Sequence, residues 1–173
     1  HLIDFDTMTV EGNCQTSQAM ALHYGLFTPE EEQAAFVRLL ELIREQDGFM
    51  EVGVLGGKVL FHVLTKFGYT DLALDMMIRP EYPSYGNWVA QGATSLWEDF
   101  MEDTASMNHH FCGDISAWFV KRLAGICYNP DGTDRTRVDI CPHFPEKMED
   151  ASAWFDSNCG KIASKWVRKG NKI

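Results

Sequence analysis

A glutamate set among aromatic rings is the strongest chemical signal in the chain. Glu98 directly follows Trp97, and Tyr82, Tyr85, Trp88 and Phe100 lie in the same stretch, residues 80–100. Aromatic faces cover the apolar C–H faces of a sugar, while a carboxylate bonds its hydroxyls or exchanges protons with water. Pro80 and Pro83 exclude a continuous helix here, and Gly86 and Gly92 add freedom to turn. The stretch therefore reads as a long irregular segment between helical ones, which is where sites concentrate. A plainer role fits the same residues: the rings as core, and Glu98 as a solvated acid at a helix start.

The elements that must position this segment are mostly helical. The sequence Gln-Thr-Ser-Gln-Ala-Met-Ala-Leu-His-Tyr suits a helix within 13–25, stopped at Gly25. The clearest helix start is Thr28-Pro29 followed by Glu30, Glu31 and Glu32. It combines an N-cap, a proline at the first helical position and acids in the first turn, with Glu31 placed for a capping box. Phe36, Leu39, Leu40 and Ile43 line one face of that helix, and Asp47-Gly48 ends it. Residues 49–57 are apolar and glycine-rich, and their length fits a buried strand or a tight loop leading into a helix. Further helices are expected over 58–67 and from Thr70 to Arg79, with Thr70 as cap. Another should run from Asn108 to Ala124, with Phe111, Ile115, Trp118, Phe119 and Leu123 on one face. Residues 1–12 read as an irregular entry.

The last 45 or so residues change character. Asn129-Pro-Asp-Gly signals a turn, and Thr136 to Cys141 alternates like a strand. Ala153–Phe155 and Lys161–Val167 read as strands around a Ser157-Asn158-Cys159-Gly160 turn, with Ile162, Ser164 and Trp166 on one face. So few strands must pack on the helices or belong to a larger sheet.

Composition narrows the function classes. The 173 residues suit one domain, or one domain with an appendage, and 45% hydrophobic content is that of a globular chain. The formal net charge of −10 argues against nucleic acid or an anionic membrane as partner and suits a neutral ligand. No apolar run nears the roughly 20 residues that span a bilayer. Cys14, Cys112, Cys127, Cys141 and Cys159 are odd in number and widely spaced, so they read as mostly buried free thiols. The opening on His1 instead of Met reads as a processed product or a piece of a longer chain, and the compartment stays open.

The residues then show a resemblance. Gln15-Thr-Ser-Gln-Ala-Met-Ala-Leu, Gly68-Tyr-Thr-Asp-Leu-Ala, Tyr82-Pro-Ser-Tyr-Gly-Asn-Trp, Gly92-Ala-Thr-Ser-Leu-Trp-Glu, Ser106-Met-Asn-His and Gly160-Lys-Ile-Ala-Ser-Lys-Trp occur in one order along the chain. Together they resemble the C-terminal part of bacterial α-L-rhamnosidases, family 78 of the glycoside hydrolases. The resemblance implies a mainly α fold. Residues 1–128 would form the C-terminal half of an (α/α)6 toroid of the six-hairpin glycosidase type. Residues 129–173 would begin a β-sandwich as a short antiparallel segment.

It also implies inverting hydrolysis of terminal α-L-rhamnose, with one protonated and one ionised carboxyl group. Glu98 matches the general base, which a helix start near Asn108 would help keep ionised. His109 matches a histidine that contacts rhamnose. Trp88 and Tyr85 are candidate walls of the sugar pocket. Trp97 joins them on the substrate side, chiefly as the ring that fixes Glu98. Glu51 is a candidate for the pocket border. The general-acid motif has no match, and Glu51, Glu81, Asp99 and Glu102 do not fit it.

No cofactor is implied, and no metal. On a helix His110 would point roughly 100° away from His109, so the two would not form a metal pair. The implied partner is a rhamnose-containing oligosaccharide or glycoside. Bare helix faces would call for a second copy or further polypeptide to cover them. Two rival readings are a non-catalytic sugar-binding or interaction module and a bare helical scaffold.

Overall fold

The computed structural model describes residues 2–101, 103–128, 137–170 and 172–173. They form two compact units, one ending at Asp114 and the other beginning at Ile115.

The first unit is built around a short buried helix. Strands β1 (Ile3–Asp4) and β2 (Thr9–Val10) make an antiparallel hairpin where an irregular entry was expected. Its strands are too short for their alternation to register in the sequence. Helix α1 (Gln15–His23) packs on α2 (Pro29–Glu45), α3 (Val54–Gly57) and α4 (Leu60–Lys66), while α5 (Thr70–Ile78) packs on α4 and on α6 (Tyr85–Ala90). Leu22, Phe36, Leu39, Phe61 and Leu64 are buried in this helical core. Phe36 also stacks on Phe67 at 4.1 Å.

Two buried glutamines tie α1 to its neighbours. Gln18 Nε2 donates to the Met8 and Ala35 carbonyls at 2.8 and 2.9 Å, and its Oε1 accepts from Val10 N–H at 3.0 Å. Gln15 donates to the Phe49 carbonyl at 2.9 Å and accepts from Glu51 N–H at 3.1 Å. Each amide thus meets backbone groups that would otherwise be buried without partners. The Gln15-Thr-Ser-Gln motif is a structural clamp here.

Helix α2 starts as expected, with the Glu31 carboxylate accepting from Thr28 N–H at 2.9 Å. Residues 49–57 run from an irregular stretch into the short helix α3, so of the two readings the tight loop leading into a helix describes them and the buried strand does not. Helix α5 takes Tyr69 as its cap, one residue before Thr70.

The expected helix from Asn108 begins only at Asp114, as α7 (Asp114–Trp118), and continues as a π-helical turn over Phe119–Leu123. The preceding backbone is engaged elsewhere, with His109 N–H donating to the Leu96 carbonyl at 2.8 Å. In consequence Phe111 and Phe119 stay exposed, while Ile115, Trp118 and Leu123 are buried.

The second unit holds two hairpins. Strands β3 (Ile126–Tyr128) and β4 (Val138–Ile140) pair antiparallel. Strand β3 was not anticipated, and the Asn129-Pro-Asp-Gly turn and Thr136 lie outside the described residues. Strands β5 (Asp150–Ser157) and β6 (Gly160–Val167) pair from Asp150↔Val167 to Ser157↔Gly160, so the turn falls where expected. Trp166 is buried, and its Nε1–H donates to the Leu123 carbonyl at 2.7 Å. Among the described residues no helix is long and apolar enough to cross a membrane.

Candidate functional site

The segment after α6 doubles back on itself. Glu98 N–H donates to the Ser106 carbonyl at 2.9 Å, and His109 N–H donates to the Leu96 carbonyl at 2.8 Å. Ser95 Oγ adds a bond to the Met107 carbonyl. Residues 95–98 and 106–109 thus lie side by side as a two-stranded ribbon. This pairing puts the two residues singled out for chemistry on the two strands of one ribbon, Glu98 opposite Ser106 and His109 opposite Leu96. Both are half-buried.

Helix α6 lies within the aromatic stretch, which is therefore not wholly irregular. Ser84 Oγ caps it by accepting from Asn87 N–H at 2.8 Å, while donating to the Arg79 carbonyl. The helix carries Tyr85 and Trp88 inward. Trp88 stacks on Phe100 at 4.4 Å, lies 5.7 Å from Trp97, and meets Tyr85 edge-on at 5.2 Å. Tyr85 also meets Phe100 edge-on at 5.1 Å. Tyr85, Trp88 and Trp97 are 6%, 3% and 6% exposed, so their faces are taken up by one another. The cluster is an apolar knot whose members Trp97 and Phe100 flank Glu98 in the chain.

His109 has a defined tautomer. Its Nδ1 accepts from Phe111 N–H at 3.2 Å, which places the proton of the neutral ring on Nε2. The ring meets Phe111 edge-on at 3.8 Å and stacks on His110 at 5.0 Å, with 11° between the planes. The two histidines do not diverge as on a helix, because the segment is not helical. Among the described residues no partner takes Nε2–H, a donor suited to a sugar hydroxyl. Among the described residues no hydrogen bond or ion pair engages the Glu98 carboxylate, and no group of three or more His, Cys, Asp and Glu is arranged to hold a metal. Glu51 is exposed and joins the rest of the unit through its main chain.

Two further groups support the ribbon and escaped sequence reading. Cys112 Sγ lies 3.7 Å from the Glu98 carbonyl, and the Cys112 carbonyl accepts from Tyr85 Oη–H at 2.9 Å. Asp114 pairs with the buried His62 at 2.9 Å, anchoring the far end of the 109–114 turn. Burial pushes the Cys112 thiol up to about 11, with Asp99 adding to it. Burial also raises the Tyr85 phenol, assisted by Cys112 and Asp114. No local pattern marks Cys112 or Asp114, because their partners lie far off in sequence.

Residues 1–123 match the family model for the bacterial alpha-L-rhamnosidase six-hairpin glycosidase domain. The chain belongs to this bacterial alpha-L-rhamnosidase family. An alpha-L-rhamnosidase of Formosa agariphila is 31% identical over 169 residues, covering 92% of this chain and 18% of the relative. One from Streptomyces avermitilis is 28% identical over 170 residues, covering 92% and 16%. The crystal structure of the Streptomyces avermitilis enzyme complexed with L-rhamnose superimposes with a TM-score of 0.87 at 27% identity, covering 97% of this chain and 17% of that one. Native rhamnosidase from Aspergillus terreus gives 0.84 at 27% identity, covering 95% and 20%. The chain thus spans less than a fifth of the length of the curated rhamnosidases it matches. Its own make-up is helical with small antiparallel strand pairs.

Proposed function

We propose that this chain is part of an inverting α-L-rhamnosidase that removes terminal rhamnose from rhamnosides. In it Glu98 is the general base, taking a proton from the water that attacks the anomeric carbon. His109 holds the sugar by donating Nε2–H to a hydroxyl. Tyr85, Trp88 and Trp97, packed on one another, back the sugar site by keeping the Glu98 ribbon in place. The general acid is assigned to no residue of this chain. Residues 1–128 would belong to the toroid and 129–173 to the start of a β-sandwich.

One observation carries the reading: backbone pairing of 95–98 with 106–109 gathers Glu98 and His109 within a chain of rhamnosidase family. A carboxylate with no partner among the described residues, on a fixed backbone, suits a base, which must reach water.

The test is hydrolysis of an aryl α-L-rhamnoside with a good leaving group, by wild type and Glu98→Gln. Such a leaving group departs without protonation, so the assay isolates the base. A fall in kcat of about 10²- to 10⁴-fold is expected for Glu98→Gln. Equal turnover by both would remove Glu98 from the mechanism. A folded chain that binds L-rhamnose without hydrolysing the rhamnoside would favour the sugar-binding module instead.

A further inference from the structure

Glu98 is held by its backbone from both sides. Its N–H is bonded to the Ser106 carbonyl at 2.9 Å, and its carbonyl faces the Cys112 thiol at 3.7 Å. Cys112 is itself held, since its carbonyl accepts the buried Tyr85 hydroxyl at 2.9 Å. Tyr85 in turn is locked edge-on against Trp88 and Phe100. The thiol is 3% exposed, and burial raises it to about 11, so it carries its proton at neutral pH and acts as the donor.

We infer that Cys112 is a positioning residue for Glu98: backed by Tyr85, its thiol fixes the Glu98 carbonyl and so the direction in which the carboxylate is presented. This rests on the reading of Glu98 as the base. A thiol that only filled space would be replaceable by any side chain of similar bulk. A thiol that donates is replaceable only by another donor. Small misplacement of a catalytic group is costly in rate while leaving substrate binding little changed.

The experiment compares Cys112→Ala, Cys112→Ser, Tyr85→Phe and the Cys112→Ala/Tyr85→Phe pair, with Glu98→Gln as control. Kinetics on the aryl rhamnoside give kcat and KM separately. The Glu98 carbonyl ¹³C resonance, read on the 173-residue chain, reports the hydrogen bond without turnover.

The expected result is a fall in kcat of about three- to tenfold for Cys112→Ala at unchanged KM, the scale of one neutral hydrogen bond. Serine restores it, Tyr85→Phe falls in the same direction, and the double variant is no slower than Cys112→Ala. The carbonyl resonance moves in Cys112→Ala and returns in Cys112→Ser.

An unmoved resonance overturns the inference, whether or not the wild type turns over. So does a loss of kcat that follows melting temperature and is not rescued by serine. Glu98→Gln turning over like wild type sinks the base assignment and the positioning role together. An inactive Glu98→Gln with unchanged kcat in Cys112→Ala sinks the positioning role alone. In a wild type without turnover, a resonance that moves and is rescued by serine supports the clamp.

Discussion

Cys112 and Tyr85 keep their protons because burial makes the charged forms costly, and that ties fold stability to pH. The unfolded chain releases the Cys112 proton from the ordinary value of 9.0, while the folded chain holds it to about 11. Between those values the unfolded state binds fewer protons, so stability falls as pH rises. The full contribution is present below pH 9 and is lost through about 11. The raised Tyr85 phenol acts in the same direction. Urea midpoints measured from neutral to strongly alkaline pH should therefore decline above pH 9, and Cys112→Ser should flatten part of that decline. A midpoint constant to pH 11 would mean that the thiol is not buried as described. The other cysteines do not share this setting. All five are free, but Cys141 and Cys159 are exposed, and Cys14 and Cys127 are half-buried. Expecting mostly buried free thiols holds for their being free but not for burial, since only Cys112 is buried and both exposed cysteines sit at hairpin ends, where side-chain type says little about solvent.

At the scale of elements, the α5–α6 junction leaves little room for change. A Cβ added at Gly86 would lie 2.3 Å from the Arg79 carbonyl oxygen and 2.4 Å from that of Ile78, both backbone atoms that cannot swing aside. Gly92 has open space around it, but its φ of +83° strains any other residue. Gly92→Ala should cost about 1–2 kcal/mol. Gly86→Ala should cost more, about 3 kcal/mol, and should disturb the Trp88 and Trp97 fluorescence. Equal denaturant midpoints for the two variants would contradict the tight packing of α6 on the end of α5. These same elements show what the sequence made legible. Helix α2 was readable because Thr28, Pro29 and Glu31 act on neighbouring residues, and β5–β6 because an eight-residue alternation meets a two-residue turn. The stretch 108–113 misled because its apolar spacing suits a helix, whereas its backbone is claimed by Leu96, more than ten residues away. Glu98 and His109 were legible as residue types in motifs. Tyr85 and Trp88 were legible as important, but their burial depends on an aromatic cluster whose geometry no spacing rule encodes.

Over the whole molecule, two opposing surface properties decide how copies of the chain behave toward one another. The net charge of −10 keeps them apart. Against it stands an apolar groove of about 500 Å³ lined by Leu2, Ile3, Val10, Met20, Tyr24 and Leu26. Leu2, Tyr24 and Leu26 are 72%, 66% and 59% exposed, so the groove presents bare apolar side chains to solvent. Charge repulsion is a long-range effect that salt removes, since the Debye length shrinks from ~30 Å at ~0.01 M to ~3 Å at ~1 M. Apolar attraction acts at contact and survives salt. Light scattering should accordingly report a rise in mean mass as salt is raised across that range. Leu26→Asp should suppress the rise, because it places a carboxylate in the groove. Scattering that falls with salt would show that charge pairing, and not the groove, holds the copies together. A rise that Leu26→Asp leaves intact would place the sticky surface elsewhere, with Phe5 and Val89, at 51% and 72% exposed, the next side chains to replace.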